Sequence, residues 1–440
     1  MNEYAFVRSI EQNYALQERL REKLSRSKHP LVLGVGGGND AVSTLLLQKQ
    51  LQRDFDFHPE RVSVMAVLPD CLDYHYAEPT PHPLIHEITP HTQRSVQGKL
   101  MTQFPERVLA QFAEDFGIDR VLGISMKSGS RGMAEALAQF TAAGSHDLVL
   151  ACDIGGDFIA VPENHHVLSP MMDGYMLVAL RALQERSVCP IVYGVFGLGT
   201  DGETPPPLLA EALSRLPEVH EGTFDPTLIA PLAAFHRTRM EPIRYSRTAD
   251  YTLREILGEG HPNPAEYRAR FHTKPDKEAP SKVYYGPFLH EFDPQYYGRY
   301  YLFDDLEGVQ NPYAIECGNG LEWFLQVQNA RTRINHELNG QAYTDVGQIL
   351  SLEKAWGKSI YFGTPSNKFS PDVQKQIVTD VVWSVRNQVY DYAMIFGQDI
   401  QPVESASLAI EPVSADLVLT TPRETDIAEA IRSLQHLLDR

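Results

Sequence analysis

Four times between residues 30 and 203 the chain runs through a short apolar segment, breaks on a glycine-rich loop and re-enters as a helix. Leu31 to Val35 leads into Gly36-Gly-Gly-Asn-Asp40 and a helix from Ala41. Arg120 to Met126 leads into Ser128-Gly-Ser-Arg-Gly132 and a helix over Met133 to Phe140. Asp147 to Cys152 leads into Asp153-Ile-Gly-Gly-Asp157, with its helix starting after Ser169-Pro170. Pro190 to Val195 leads into Gly197-Leu-Gly-Thr-Asp-Gly-Glu203 and a helix from Pro206. A further apolar segment, Arg61 to Leu68, stops at Pro69-Asp70. Continuous apolar runs alternating with helices are the pattern of a parallel sheet covered on both faces. Right-handed crossovers then gather the loops at the carboxyl end of one sheet. The expected class is therefore α/β, a doubly wound, mostly parallel Rossmann-like sheet with an α+β C-terminal portion.

The expected organisation is an N-terminal amphipathic helix within residues 1–27, a glycine-loop domain over 28–225 and an α+β portion over 226–440. Asp73 to His91 carries prolines at 79, 81, 83 and 90, with His75, His82, His86, Glu87 and His91 among them. Histidines at that density suit a metal, but the X-Pro punctuation and uneven spacing favour a solvated loop. Beyond about residue 217 the strand–helix rhythm is lost. Strands are expected near Tyr284-Tyr285, at Tyr300 to Asp304 and within Ser405 to Thr420. Helices are expected over Leu321 to Ala330, Val373 to Phe396 and Asp426 to Leu438.

Composition narrows the function classes. A formal charge of −18 argues against nucleic acid or an anionic membrane as the main partner. The opening Met-Asn-Glu-Tyr-Ala-Phe-Val-Arg lacks a basic stretch followed by an apolar core, and no apolar run reaches membrane-spanning length. Cys71, Cys152, Cys189 and Cys317 show no paired metal-ligand spacing and read as reduced thiols in a cytoplasmic protein, in which a homo-oligomer is compatible with everything above.

The chemistry is expected at the loops. Backbone N–H groups at Gly36, Gly37, Gly38 and Asn39, with Asp40 at the start of the helix, face a concavity suited to an anion. A tight βα turn would account for the same glycines. Ser130, Arg131 and Gly132 open another helix, where the Arg131 guanidinium suits bidentate recognition of that anion. Asp70, Asp153, Asp157, Asp173, Asp201 and Glu203 crowd carboxylates at the same sheet end, and such a crowd repels itself unless a cation or proton intervenes. Mg²⁺ or Mn²⁺ on Asp153 and Asp157 would relieve the repulsion and bridge to the anion. Asp157, Asp201 and Glu203 are the candidate catalytic acids and bases. Helix capping, turn formation and surface pairing are the structural alternatives for each of these residues.

Three familiar sites are missing. A dinucleotide fingerprint needs a glycine where Asn39 stands and an acid closing the second strand about 20 residues on. Asp56 has that spacing but precedes the strand, and Asp70 lies farther along. No Gly-Lys-Ser/Thr follows the glycines, and no Gly-x-Ser-x-Gly elbow occurs. Cys317, in Glu316-Cys-Gly-Asn-Gly320, has the setting of a nucleophile, although a buried thiol is the commoner meaning.

Taken as an ordered set, Gly34 to Asp40, Gly129-Ser-Arg-Gly132 with Ala134-Glu-Ala-Leu137, Asp153 to Asp157, Ser169-Pro170 with Asp173, and Gly194 to Glu203 resemble a prokaryotic family designated domain of unknown function 1152. A weaker echo runs through Ile243-Arg-Tyr245 to Tyr301 to Asp304, so the likeness spans about residues 28–305. The resemblance implies the fold and the map of the site, and implies no reaction. The N-terminal helix, the proline- and histidine-rich loop and the long C-terminal portion depart from it. The leading reading is an enzyme that hydrolyses an anionic small molecule or transfers a group from it. A non-catalytic nucleotide or metabolite sensor and a structural scaffold are the alternatives.

Overall fold

The computed structural model describes residues 3–37, 40–68, 73–96, 99–126, 128–144, 146–164, 167, 170–202, 204–240, 242–243, 246–260, 293–318, 360–364, 394–396 and 417–419. Helix α1 (Glu3–Arg26) precedes strand β1 (Pro30–Gly37), helix α2 (Asp40–Asp54) and β2 (Ser63–Leu68). Five short strands follow: β3 (Asp73–His75), β4 (Glu78–Pro79), β5 (Ile85–Ile88), β6 (Gln93–Val96) and β7 (Lys99–Met101). Then come α3 (Pro105–Gln111), β8 (Arg120–Ser125), α4 (Gly129–Ala143), β9 (Leu148–Ile154), α5 (Pro170–Arg186) and β10 (Ile191–Phe196). The described chain continues with α6 (Pro206–Arg215), β11 (His220–Thr223), α7 (Pro226–Phe235), α8 (Arg247–Leu257) and β12 (Arg299–Phe303).

The main sheet has nine strands among the described residues, in the order β11-β12-β10-β9-β1-β2-β8-β5-β4. Its centre, β10-β9-β1-β2-β8, is parallel throughout. Each of these strands is almost wholly buried because helices cover both faces, and so the sequence shows continuous apolar runs instead of alternation. Leu31, Leu33, Met65 and Val149 point into a core shared with α4 and α5, and Val32, Val64, Leu148 and Leu150 into a second core shared with α1, α2, α7 and α8. Leu16, Leu20 and Leu24 recur at four-residue spacing on α1 and are fully buried, which docks that helix on the second core. This is the doubly wound α/β architecture expected. The chain winds outward from β1 in one direction through β2 and β8, then returns to β1's other side for β9 and β10. The order reverses between β1 and β9, and in open α/β sheets the crevice at such a reversal is where ligands bind.

The structure departs from the sequence reading at the margins. Asp73 to His91 is not simply a solvated loop: β5 pairs antiparallel with β8, β4 pairs with β5, and β3, β6 and β7 make a small sheet of their own. Ile85 and Ile88 are buried and anchor the span, whose prolines fall outside β5. The expected boundary between 225 and 226 does not divide the sheet, since β12 lies between β10 and β11 and pairs antiparallel with both. Strands Ile360–Thr364, Met394–Phe396 and Leu417–Leu419 form a separate three-stranded sheet. Met394–Phe396 is extended where the periodicity suggested the end of a helix, and Leu417–Leu419 falls in the expected β-rich stretch. Tyr284-Tyr285, Leu321 to Ala330 and Asp426 to Leu438 lie outside the described residues. Among the described residues no helix is long and apolar enough to cross a membrane.

Candidate functional site

The end of β1 is irregular in a way that makes room. Between Leu33 and Gly37 the strand advances four residues while its partner β2 advances two, from Met65 to Val67. A Cβ at Gly34 would stand 2.6 Å from the amide nitrogen of Ala41, so the missing side chain lets the first turn of α2 sit directly on the strand. At Gly36 a Cβ would overlap Asp40 Oδ2 and stand 3.4 Å from Asp173 Oδ1. The glycine therefore admits two of the protein's own carboxylates, one from the start of α2 and one from the first turn of α5. Helix starts carry partial positive charge, which eases the placement of both.

Two further aspartates come from the next strands. Asp153 is the penultimate residue of β9, and Asp201 follows β10 in the loop that begins at Gly197. Gly155 and Gly156 turn the chain out of β9 with φ of +116° and +108°, a backbone that side-chain-bearing residues rarely adopt. A Cβ at Gly155 would lie 2.8 Å from Asp201 Oδ2, so this glycine, like Gly36, makes way for a carboxylate. Asp153 is 2% exposed, Asp173 5% and Asp201 6%. Asp153 Oδ2 and Asp173 Oδ1 are buried without a hydrogen-bond partner. Burial, followed by the negative charges of Asp173, Asp40 and Asp201, holds the Asp153 carboxyl well above the usual carboxylate range, against the amide of Phe158 that donates to it. Burial is also the main cause that pushes Asp173 up to about 7, with the charge of Asp201 adding to it. Burial and the charges of Asp153 and Asp40 push the Cys152 thiol up as well, which disfavours the thiolate form.

Each residue singled out in the sequence has a definite place or lies outside the described part. Gly36, Asp40, Asp153 and Asp201 converge at the reversal between β1 and β9 or beside it, together with Asp173. Gly37 ends β1, and Gly38, Asn39, Asp70 and Glu203 are outside the described residues. Asp157 opens a 3-10 turn, Asp157–Ile159, and is buried. The carboxylates that weigh most on Asp153 are those of Asp173, Asp40 and Asp201, not its sequence neighbour Asp157. Among the described residues no group of three or more His, Cys, Asp or Glu is already arranged to hold a metal ion.

The start of α4 is occupied by the chain itself. Ser130 Oγ accepts from the Cys317 amide at 2.8 Å and donates to the Ile315 carbonyl at 3.0 Å, while the Arg131 amide donates to the Cys317 carbonyl at 3.1 Å. The Arg131 side chain is half exposed, with Glu316 at 3.9 Å. Gly132 sits inside the helix, its amide bonded to the Ser128 carbonyl at 3.0 Å. Cys317 is fully buried, which fits a structural thiol. The same strap, residues 311–318, also secures the turn after β9. Asn311 Nδ2 donates to the carbonyls of Asp157 and Phe158 at 2.7 and 3.1 Å, and Tyr313 Oη donates to the Asn164 carbonyl at 2.8 Å. Gly174 of α5 accepts the Tyr313 backbone where a Cβ would collide with it. Asn311 and Tyr313 give no local signal in the sequence, because their partners lie 149 to 154 residues away.

No curated protein matches the chain, and no solved structure does. A family model does match. Residues 31–229, from β1 into α7, fit the family described as protein of unknown function (DUF1152), and they hold all of the described site apart from the strap, so over this span the chain resembles that family.

Proposed function

We propose that the protein binds a phosphate- or carboxylate-bearing small molecule at the carboxyl edge of its sheet, with Mg²⁺ or Mn²⁺ held by Asp153 and Asp173, and that it hydrolyses this molecule or transfers a group from it. One observation carries the reading. Two nearly inaccessible aspartates, each with an unpartnered oxygen, lie beside Asp40 and Asp201 where the strand order reverses. Such groups are stabilised only by a proton or a cation. Mg²⁺ characteristically takes one or two carboxylates and fills its other positions with water and ligand oxygens, so it needs no preformed cage of three side chains. A divalent ion would supply Lewis-acid polarisation of a phosphoryl or carboxyl oxygen. With carboxylates occupying the space above Gly36, an anion would be repelled from the glycine loop unless a cation stood between them, so the two partners are expected to bind together. Asp201 is the described candidate for a general base, since Asp40 and Asp173 already crowd Gly36.

Thermal melting with inorganic phosphate as the probe tests this reading. Phosphate is expected to raise Tm substantially in the presence of MgCl₂ and little in the presence of a chelator. Equal stabilisation with and without Mg²⁺ would remove the cation from the account. No stabilisation by phosphate, acetate or citrate under either condition would remove the anion site.

A further inference from the structure

Three of the four site aspartates sit on segments that one short stretch of chain touches together. Asp153 stands at the end of β9 before the turn Asp157–Ile159, Asp173 lies in the first turn of α5, and Asp201 lies in the loop that begins at Gly197. Residues 311–313 of the strap reach all three. Asn311 is buried and its side chain works at both ends: Nδ2 donates to the Asp157 and Phe158 carbonyls, and Oδ1 accepts from the Tyr313 amide at 2.8 Å. The Tyr313 carbonyl lies against Gly174, the residue after Asp173, where any side chain would collide with it. Tyr313 Oη donates to the Asn164 carbonyl, and Asn164 Nδ2 donates at 2.9 Å to Oγ1 of Thr204, three residues beyond Asp201. Tyr313, Asn164 and Thr204 are all buried.

The contact from Asn311 reaches Asp153 through a single peptide group. The Phe158 amide donates to the Asp153 carboxylate, and the carbonyl of that same peptide, Asp157 to Phe158, accepts from Asn311 Nδ2 at 2.7 Å. A peptide group is planar and rigid, so fixing its oxygen fixes the direction of its N–H. Hydrogen bonds in such a row also polarise one another in a site shielded from water. A carboxylate that binds a cation must be held to a fraction of an ångström, and groups that orient it weigh on affinity without touching the ion.

We propose that Asn311 and Tyr313 are positioning residues for the carboxylate site, holding Asp153 through the Asp157–Phe158 peptide and Asp173 through the start of α5, and that docking of their strap and binding of a divalent cation strengthen each other. The inference rests on the reading of the aspartates as a cation site. Asn311 acts through the peptide and not on the ion. Coupling of this kind is reciprocal: a contact that raises cation affinity is tightened by the cation by the same factor. Through Ser130 and Arg131 the strap also grips the start of α4, so occupancy of the site is passed to that helix as well.

The test compares Mn²⁺ affinity among the chelator-treated full-length wild type, Asn311→Ala, Tyr313→Phe and Leu16→Ala, a core variant on the opposite face of the sheet that lowers stability away from the site. Asn311→Ala should weaken Mn²⁺ about tenfold, the low end for losing a group that orients a metal ligand. Tyr313→Phe, which keeps the ring and loses only the bond to Asn164, should weaken it less. Leu16→Ala should bind as the wild type does, because lost stability alone does not change the affinity of folded protein. In the wild type, Mn²⁺ should slow backbone hydrogen exchange over residues 311–318 more than in α1. If Asn311→Ala does not fold, Tyr313→Phe and the wild-type exchange carry the comparison. Equal affinity in wild type and the strap variants, equal weakening in Leu16→Ala, or strap exchange that Mn²⁺ leaves unchanged would overturn the inference while the cation site stands. Mn²⁺ that stays free with the wild type would overturn the cation reading, and this inference with it.

Discussion

Replacing Asp173 by Asn should make the cation-free protein more stable at alkaline pH, and the gain should vanish in acid. The folded Asp173 carboxyl is pushed up to about 7 from an ordinary 3.8, chiefly by burial. Between those values the folded state holds a proton that the unfolded state has released. Stability therefore falls as pH rises through this window, and above it the whole cost is present. A shift of about three pH units at ~1.4 kcal/mol per unit gives a cost on the order of 4 kcal/mol at pH 8. Asn carries no charge and escapes this term, although its amide meets the same lack of partners at Oδ1, a cost of about 1 kcal/mol that does not vary with pH. The informative quantity is thus how the difference between wild type and Asp173→Asn changes from pH 5 to pH 8, measured by urea unfolding with chelator present. It should grow by a few kcal/mol in favour of Asn. Mg²⁺ at pH 8 should stabilise the wild type and leave the variant nearly unaffected, closing the gap. Parallel pH profiles would show that Asp173 is not charged at a cost in the folded protein, and the reasoning about the cluster would fail.

Three other outcomes follow from particular contacts. Gly36→Ala puts a methyl where Asp40 Oδ2 lies, and should lower stability by about 1–3 kcal/mol and weaken any Mg²⁺-dependent rise in Tm; an unchanged Mg²⁺ response would separate Gly36 from the site. Asn311→Ala removes the donor to the Asp157 and Phe158 carbonyls, and urea unfolding should show a loss of about 1–3 kcal/mol; a neutral result would show that the strap is not needed to hold the turn. His146 is pushed down to about 4 by burial and by the charges of His29 and Arg120, so the unfolded chain takes up its proton first and stability drops as pH falls from about 6.5 to 4. His146→Gln should flatten this limb of the pH profile, and an unaltered limb would refute the assignment.

The five central strands were legible because burial on both faces writes itself into the sequence as unbroken apolar runs, and glycines mark where each run ends. The edges were not. Ile85–Ile88 has only two buried side chains and stands among prolines, and the place of Arg299–Phe303 between β10 and β11 is decided by pairing across a hundred residues. The same division applies to the site. Asp153 could be picked out as a carboxylate at a sheet end, and the sequence paired it with Asp157 because the two glycines between them let the backbone turn both side chains inward. The fold instead brings it Asp40, Asp173 and Asp201 from three other segments, through gaps that Gly36 and Gly155 leave. Ser130 and Arg131 were legible as a helix start, and the sequence alone suggested an anion there. Their hydroxyl and amide are taken up by Ile315 and Cys317, nearly two hundred residues later, which no local pattern foretells.

The central claim is that the aspartates at the reversal between β1 and β9 hold a divalent cation. Titration of the chelator-treated protein with Mn²⁺, followed by electron paramagnetic resonance of the free ion, measures this directly. The account predicts one saturable site in the wild type, lost in both Asp153→Asn and Asp173→Asn and displaced by excess Mg²⁺. Mn²⁺ that stays free in the presence of wild-type protein, or that binds the two variants as it binds the wild type, would contradict it.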